Sequence, residues 1–409
     1  MLLYLKLLPL IILPISLLIS SGAADFVLIF SVIFFLGNSI YKREFYWLKD
    51  KYFILLFIFY IYLLINFYFS QSREESIGRA FAFIRFPLFV MSIKYFFLKD
   101  FSKFDLVVKF WTATIIVVLI DTLIQYLYGK NILGYPVLFM GDQMRLSSFL
   151  GKEYKIGGYL LVFSFIIFTY FVSKKDFYNR LLIYLFYIFS LTAIYLSGER
   201  SNFIIFLLCS FFFIFLSNYK IQHKFILFLI LSISILLLFN FDKKLKARLL
   251  DQTKESVHSK DLGFKDSILQ TQYGAHYITA YQIFMDYPFL GSGIKTFRTV
   301  CNNKKYENYD IPWIKQRCST HPHNVILEFL SELGILGTLL FLLSFIYLLF
   351  FSTILFIKNK NNFLLGLIIC SSFFYFPLLT RGSFFTNWNA ILFWTIISLL
   401  ISFKSIKKN

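Results

Sequence analysis

The stretch CSTHPHNVILEFLSELGILG, residues 318–337, holds two of the five histidines, His321 and His323, just before a long apolar run. An imidazole at such a place can take a proton; the plainer alternative is a polar helix rim or cap. Other reactive side chains are sparse. Arg200 in SGERSNF, Arg145, Arg381, and Lys295 and Arg298 in GSGIKTFR all lie at or near the ends of apolar runs. A lone arginine there usually snorkels to lipid headgroups. Several on one membrane face can instead hold a pyrophosphate by bidentate contacts. A neutral imidazole beside them can take a proton from a sugar hydroxyl.

The missing motifs narrow the chemistry. No D-x-D or E-x-D pair stands at a candidate site to hold a divalent ion, and no Cys/His spacing matches zinc. No G-x-S-x-G elbow or P-loop occurs. The expectation is an enzyme that uses neither metal nor cofactor.

These residues must be positioned by membrane helices. The chain is 58% hydrophobic and 22% aromatic with only 15% charged residues, which excludes a soluble domain of 409 residues. The net charge of +19 does not point to nucleic acid, because the basic residues cluster in short loops between apolar runs. Twelve segments are long enough to cross a bilayer: roughly 3–20, 24–41, 52–69, 79–98, 104–128, 156–173, 180–197, 202–217, 223–241, 323–356, 363–380 and 384–403. The first lacks a convincing cleavage site and reads as a retained helix. Loops 41–51, 98–103, 173–180, 217–224 and 357–362 and the C-terminal tail carry sixteen Lys and Arg, while most of the alternate connections carry none or one. Both termini are therefore expected in the cytoplasm.

The fold class expected is an all-α polytopic membrane protein of about 12 transmembrane helices with one large outer loop. Its divisions are residues 1–241 (nine spans), the loop 242–322, and 323–409 (three spans and the tail). The loop holds 13 Lys/Arg against 8 Asp/Glu, which suits an anionic ligand or simply solubility. Cys301 and Cys318 lie in this outward loop and are expected to pair, whereas Cys209 and Cys370 sit in apolar runs and read as inert. Asn324 is placed to cap the tenth span. Glu328 and Glu332 share one face of it, turned to the bundle interior. Gly334 and Gly337 read as sites of close helix packing.

These motifs resemble the bacterial O-antigen ligase and polymerase family. His323-Asn324, nine residues, Gly334-Ile-Leu-Gly337-Thr338 is similar to the family's His-Asn…Gly-x-x-Gly signature. DYPFLGSGIKTF resembles its Pro-hydrophobic-hydrophobic-Gly-x-Gly element, and SGERSNF its Ser-Gly-x-Arg element. The resemblance implies a membrane glycosyltransferase of the C-type superfamily in the bacterial inner membrane, with its active site on the periplasmic face. The implied donor is a glycan on undecaprenyl diphosphate. Carried over by position, His323 is the implied general base for an inverting in-line attack, and Arg200 the implied ligand of the diphosphate. Many members carry an arginine about fifteen residues before the loop's proline. Here Tyr273 stands near that position with His276 close by, so Lys295, Arg298 or His276 is left to supply the contact. A ligase uses lipid A–core as acceptor and a polymerase uses another lipid-linked glycan; the ligase is favoured. A flippase or other transporter would place its polar residues at the bilayer midplane, commonly within repeats, and none is found.

Overall fold

The computed structural model describes residues 2–140, 143–174, 180–241, 245–247, 249–250, 254 and 264–404. The first part of the expected outer loop, to residue 263, thus lies largely outside the described residues.

The chain starts with α1 (Leu2–Ile19) and α2 (Ser21–Lys42), followed by α3 (Lys51–Tyr68), α4 (Arg73–Ala82), α5 (Arg85–Ser92) and α6 (Phe104–Tyr128). A short hairpin, β1 (Leu138–Met140) and β2 (Gln143–Arg145), and an isolated antiparallel bridge between Lys130 and Pro136 depart from all-helical structure. Then come α7 (Ile156–Ser173), α8 (Arg180–Leu196), α9 (Arg200–Leu216) and α10 (Ile221–Phe241). The described part of the loop contributes α11 (Phe264–Leu269), α12 (Gln272–Asp286) and α13 (Phe297–Val300). The last three are α14 (Val325–Asn359), α15 (Asn362–Phe374) and α16 (Asn387–Lys404).

Among the described residues, seven helices are long and apolar enough to span a bilayer, and five more apolar helices are shorter. The chain is therefore a polytopic helical membrane protein. Twelve crossings belong to the proposal made below.

Helix α7 is the centre of the bundle: all but two of its 18 residues are buried. In lipid, apolar contact does little to drive helices together, so polar pins count, at about 1 kcal/mol each. Two such pins hold α1 to the bundle, one from α6 and one from α7. Pro14 has no N–H to offer the carbonyl of Leu10, four residues back in the same helix. The Trp111 indole N–H donates to that carbonyl instead, at 2.7 Å. Tyr159 in α7 donates to the carbonyl of Pro14 at 3.1 Å.

Two of the basic connections touch, 217–224 and 357–362, and the start of α3 meets α14. Asn218 N–H donates to the Asn362 side chain at 2.8 Å, and Lys51 to the Tyr347 hydroxyl at 3.2 Å. Helix α14 carries the main irregularity of the bundle. Its backbone is interrupted at Gly334, where φ is 63° and ψ −172°. Segment 288–294 fills the break: Ser292 and Gly293 donate to the carbonyls of Ser331 and Glu332, and Ile335 and Leu336 donate to those of Pro288 and Phe289. Asn66 of α3 clamps both chains, donating to the carbonyls of Leu290 at 2.6 Å and Glu332 at 2.9 Å and accepting from Ile294 N–H at 2.8 Å. Gly334 is thus more than a packing residue. A Cβ there would stand 2.3 Å from the Phe289 carbonyl oxygen, in a backbone region that other residues avoid.

Candidate functional site

His323 lies in the strap, residues 318–324, that leads into α14. Asn324 ends the strap as the expected cap. Its side-chain oxygen accepts from Leu327 N–H at 3.1 Å, and its amide donates to the Pro377 carbonyl at 2.6 Å. His323 has φ of 59°, unusual for a residue with a Cβ and a common mark of a functionally constrained site. The conformation is held from outside, because the His323 carbonyl accepts the backbone N–H of Arg381 at 2.9 Å.

The geometry separates the histidines. His321 donates from Nε2 to the Arg381 carbonyl at 3.1 Å and accepts at Nδ1 from the Thr320 hydroxyl at 2.9 Å. Both its nitrogens are used, so it is an anchor. His276, on α12, donates from Nδ1 to the Arg317 carbonyl at 2.9 Å. Among the described residues the His323 ring has only the Ser319 hydroxyl, 3.2 Å from Nε2. The His323 ring centre lies 4.2 Å from that of His321 and 5.4 Å from those of His276 and Tyr273. Burial, with His321 and His276 adjacent, pushes the His323 imidazole down to about 3. Burial and nearby Lys295 push His321 down to about 4. Both are neutral at pH 7, the form a proton acceptor must have.

His321 and His323 line a polar cavity of about 320 Å³ together with Arg145, Arg200 and Arg381. Glu199, Asn202, Lys155 and Trp388 complete its walls. Four cations face one carboxylate, so the cavity favours an anion. The Arg145 guanidinium donates from Nη1 to the Gly198 carbonyl at 2.6 Å, and its buried Nε–H has no partner among the described residues. Arg381 lies over the Phe374 ring at 4.9 Å and donates one N–H to Asn202. The side chain of Arg200, first residue of α9, makes no hydrogen bond to a described residue, and the residue lines the cavity.

Lys295 and Arg298 do not line this cavity. Lys295 is buried and donates from Nζ to Ser383 Oγ at 2.7 Å, while Ser383 donates to Glu328. Glu332 accepts the backbone N–H groups of Lys295 at 2.7 Å and Phe297 at 3.1 Å. Glu328 accepts from Phe384 N–H at 2.9 Å. The two carboxylates expected on an interior face thus fasten the loop and the α15–α16 connection to α14. Arg298 stands 3.8 Å from Glu75 at the surface. His276 supports the site from behind His323 without lining the cavity.

Cys301 and Cys318 form a disulfide, with Cα atoms 5.4 Å apart; Cys209 and Cys370 are free and buried. Between the paired cysteines Arg317 turns inward and donates from Nε to the Cys301 carbonyl at 2.8 Å. Its own carbonyl holds His276, so the disulfide braces the histidine cluster.

Sequence reasoning passed over Glu199, Asn202, Lys155 and Trp388. Glu199 and Asn202 sit in SGERSNF beside Arg200, and a carboxylate between two apolar runs was the available signal. Gly157 and Gly158 were also missed. They let the start of α7 approach closely, since a Cβ on Gly157 would meet the Ser197 hydroxyl at 2.8 Å and the Glu199 carboxylate at 3.0 Å.

Residues 185–342 match the family described as O-antigen ligase, and that stretch belongs to the O-antigen ligase and polymerase family. The match covers α9, the described part of the loop before α14 and the signature of α14. The function is thus of the O-antigen ligase or polymerase type, a glycosyltransferase-like enzyme. No curated protein matches the chain.

Proposed function

We propose that the chain is an O-antigen ligase-type glycosyltransferase. It transfers a glycan from undecaprenyl diphosphate to lipid A–core, at the periplasmic face of a bacterial inner membrane, with twelve spans and both termini cytoplasmic. The observation that carries this reading is the neutral His323 at the edge of a cavity lined by Arg145, Arg200 and Arg381.

In this reading Arg200, Arg145 and Arg381 bind the diphosphate. Arg381 takes the place of the loop arginine many relatives carry, since Lys295 and Arg298 lie outside the cavity. As the bond between the anomeric carbon and the diphosphate oxygen breaks, charge grows on the diphosphate and the fixed guanidinium groups stabilise it. His323 accepts the proton of the acceptor hydroxyl while that oxygen attacks from the opposite face, which inverts the anomeric centre. An imidazole with so low a pKa is a weak base at the start of the reaction. Bond breaking must therefore run ahead of proton transfer, so that the hydroxyl becomes acidic as it bonds to the electron-poor carbon. The anionic donor also raises the affinity of His323 for a proton. The reaction calls on no metal, because the diphosphate is a good leaving group and the arginines carry its charge.

The test is transfer by the purified protein in bilayers from an undecaprenyl-diphosphate glycan to lipid A–core. Chain growth on the lipid carrier in place of transfer to core makes it a polymerase.

A further inference from the structure

We infer that Glu199 and Asn202 form a positioning relay that aims Arg381 at the donor diphosphate; the inference rests on the function proposed above. Glu199 precedes α9, and its carboxylate meets the start of the central helix, accepting Gly157 N–H at 2.6 Å. That placement is favourable for a negative charge, because the N–H groups of the first helical turn are unpaired. The other carboxylate oxygen accepts the Asn202 amide N–H, and the Asn202 carbonyl oxygen accepts an N–H of Arg381. This is the only hydrogen bond the Arg381 guanidinium makes among the described residues. Its backbone holds the carbonyl of His323 and the ring of His321. The relay thus runs from α7 through α9 to the residue that also fixes the histidine strap.

The direction of the relay depends on Glu199 being a carboxylate, which accepts hydrogen bonds and donates none. It forces the Asn202 amide to turn its N–H towards Glu199 and its oxygen towards Arg381. One guanidinium N–H is thereby committed, and the remaining N–H groups are left for the ligand. A glutamine in place of Glu199 can still accept from Gly157, but its amide then presents a donor to the Asn202 donor. Rotating the Asn202 amide relieves that clash only by turning a donor towards Arg381. In either arrangement the orientation of Arg381 is lost.

The relay and simple charge counting predict opposite signs. Glu199→Gln removes a negative charge from an anion site, which by charge alone tightens binding. The relay predicts weaker binding, by about tenfold, the scale of one charged hydrogen bond. The double variant Glu199→Gln/Asn202→Asp has the wild-type net charge. Its relocated carboxylate accepts both from the introduced glutamine amide and from Arg381, so it restores the aim.

The experiment measures undecaprenyl diphosphate binding to the full chain in nanodiscs, with transfer kinetics and melting temperature alongside. The expected result is a Kd raised about tenfold in Glu199→Gln and within about threefold of wild type in the double variant, with donor KM following Kd. A Glu199→Gln protein that binds as well as or better than wild type overturns the relay. So does a double variant no better than the single. If the single variant does not fold, the double variant decides: folding with near wild-type Kd supports the relay, and weak binding or failure to fold overturns it. Should the wild type neither bind undecaprenyl diphosphate nor transfer a glycan, the proposed function falls. The relay is then judged by melting temperature, lowered in Glu199→Gln and restored in the double variant if it holds, and unrestored if it does not.

Discussion

The backbone N–H of Arg381 bonds to the carbonyl of His323 at 2.9 Å, while the side chain of Arg381 lines the cavity beside the His323 ring. One residue thus joins the proposed leaving-group clamp to the proposed base, across 58 positions of sequence. The left-handed backbone of His323 is held by that bond and by the helix cap that follows it.

Replacing Arg381 therefore separates its two contributions. Arg381→Ala keeps the backbone bond to His323 and loses the guanidinium, so transfer falls roughly 10²-fold while the fold survives. Arg381→Lys keeps the charge but loses the planar fork, and recovers only part of the rate. Initial rates at saturating acceptor, with circular dichroism as the folding control, check both.

The lowered pKa of the two strap histidines gives stability a defined pH dependence. Each is near 6.5 when unfolded and lowered to about 4 or about 3 in the fold, so below pH 6.5 the unfolded chain binds more protons. Stability is full above that pH and falls as the pH drops towards 4. A thermal melt should shift downwards between pH 7 and pH 4.5, and His321→Gln should reduce the shift.

Lys295→Met tests the buried network apart from the cavity. It removes the bond to Ser383, the residue that in turn bonds Glu328, and leaves a buried polar group short of a partner, which costs about 1–3 kcal/mol. The expected outcome is a loss of melting temperature, with undecaprenyl diphosphate affinity unchanged in whatever protein folds. An affinity loss with an unchanged melt would return Lys295 to the ligand site.

Reduction of the Cys301–Cys318 bridge should loosen the wall behind His276. The bridge spans 17 positions, and closing a loop of that length is worth roughly 3 kcal/mol. Cys301→Ser/Cys318→Ser should show faster amide exchange across residues 301–323 by mass spectrometry. Its transfer rate should fall several-fold, less than for loss of His323.

Much of this was legible in the sequence, and the rest was not for physical reasons. Apolar length gave the helices, because lipid demands it. Segment 79–98, already marked by Arg79 and Arg85, is where the helix breaks into α4 and α5, and Arg85 bonds Asp25 there at 2.8 Å. The motifs that hold His323 and Arg200, which line one cavity, and the cysteines that form the disulfide were local enough to be picked out. The division between Lys295 and Arg381 could not. Both are cations in connections between helices, and only the fold decides which one meets Ser383 and which one faces a cavity. Glu199 escaped because Gly157, whose N–H it accepts, and Arg381, which it reaches only through Asn202, lie 42 and 182 positions away in sequence.

The central claim is that His323 is the base of a glycan transfer driven by departure of a lipid diphosphate. The direct measurement is the single-turnover rate of transfer from an undecaprenyl-diphosphate glycan to lipid A–core in bilayers, for wild type and His323→Ala at saturating donor. The account predicts transfer by wild type, a fall of roughly 10²-fold or more in the variant, and undiminished affinity of the variant for undecaprenyl diphosphate. A variant that transfers at the wild-type rate would contradict it.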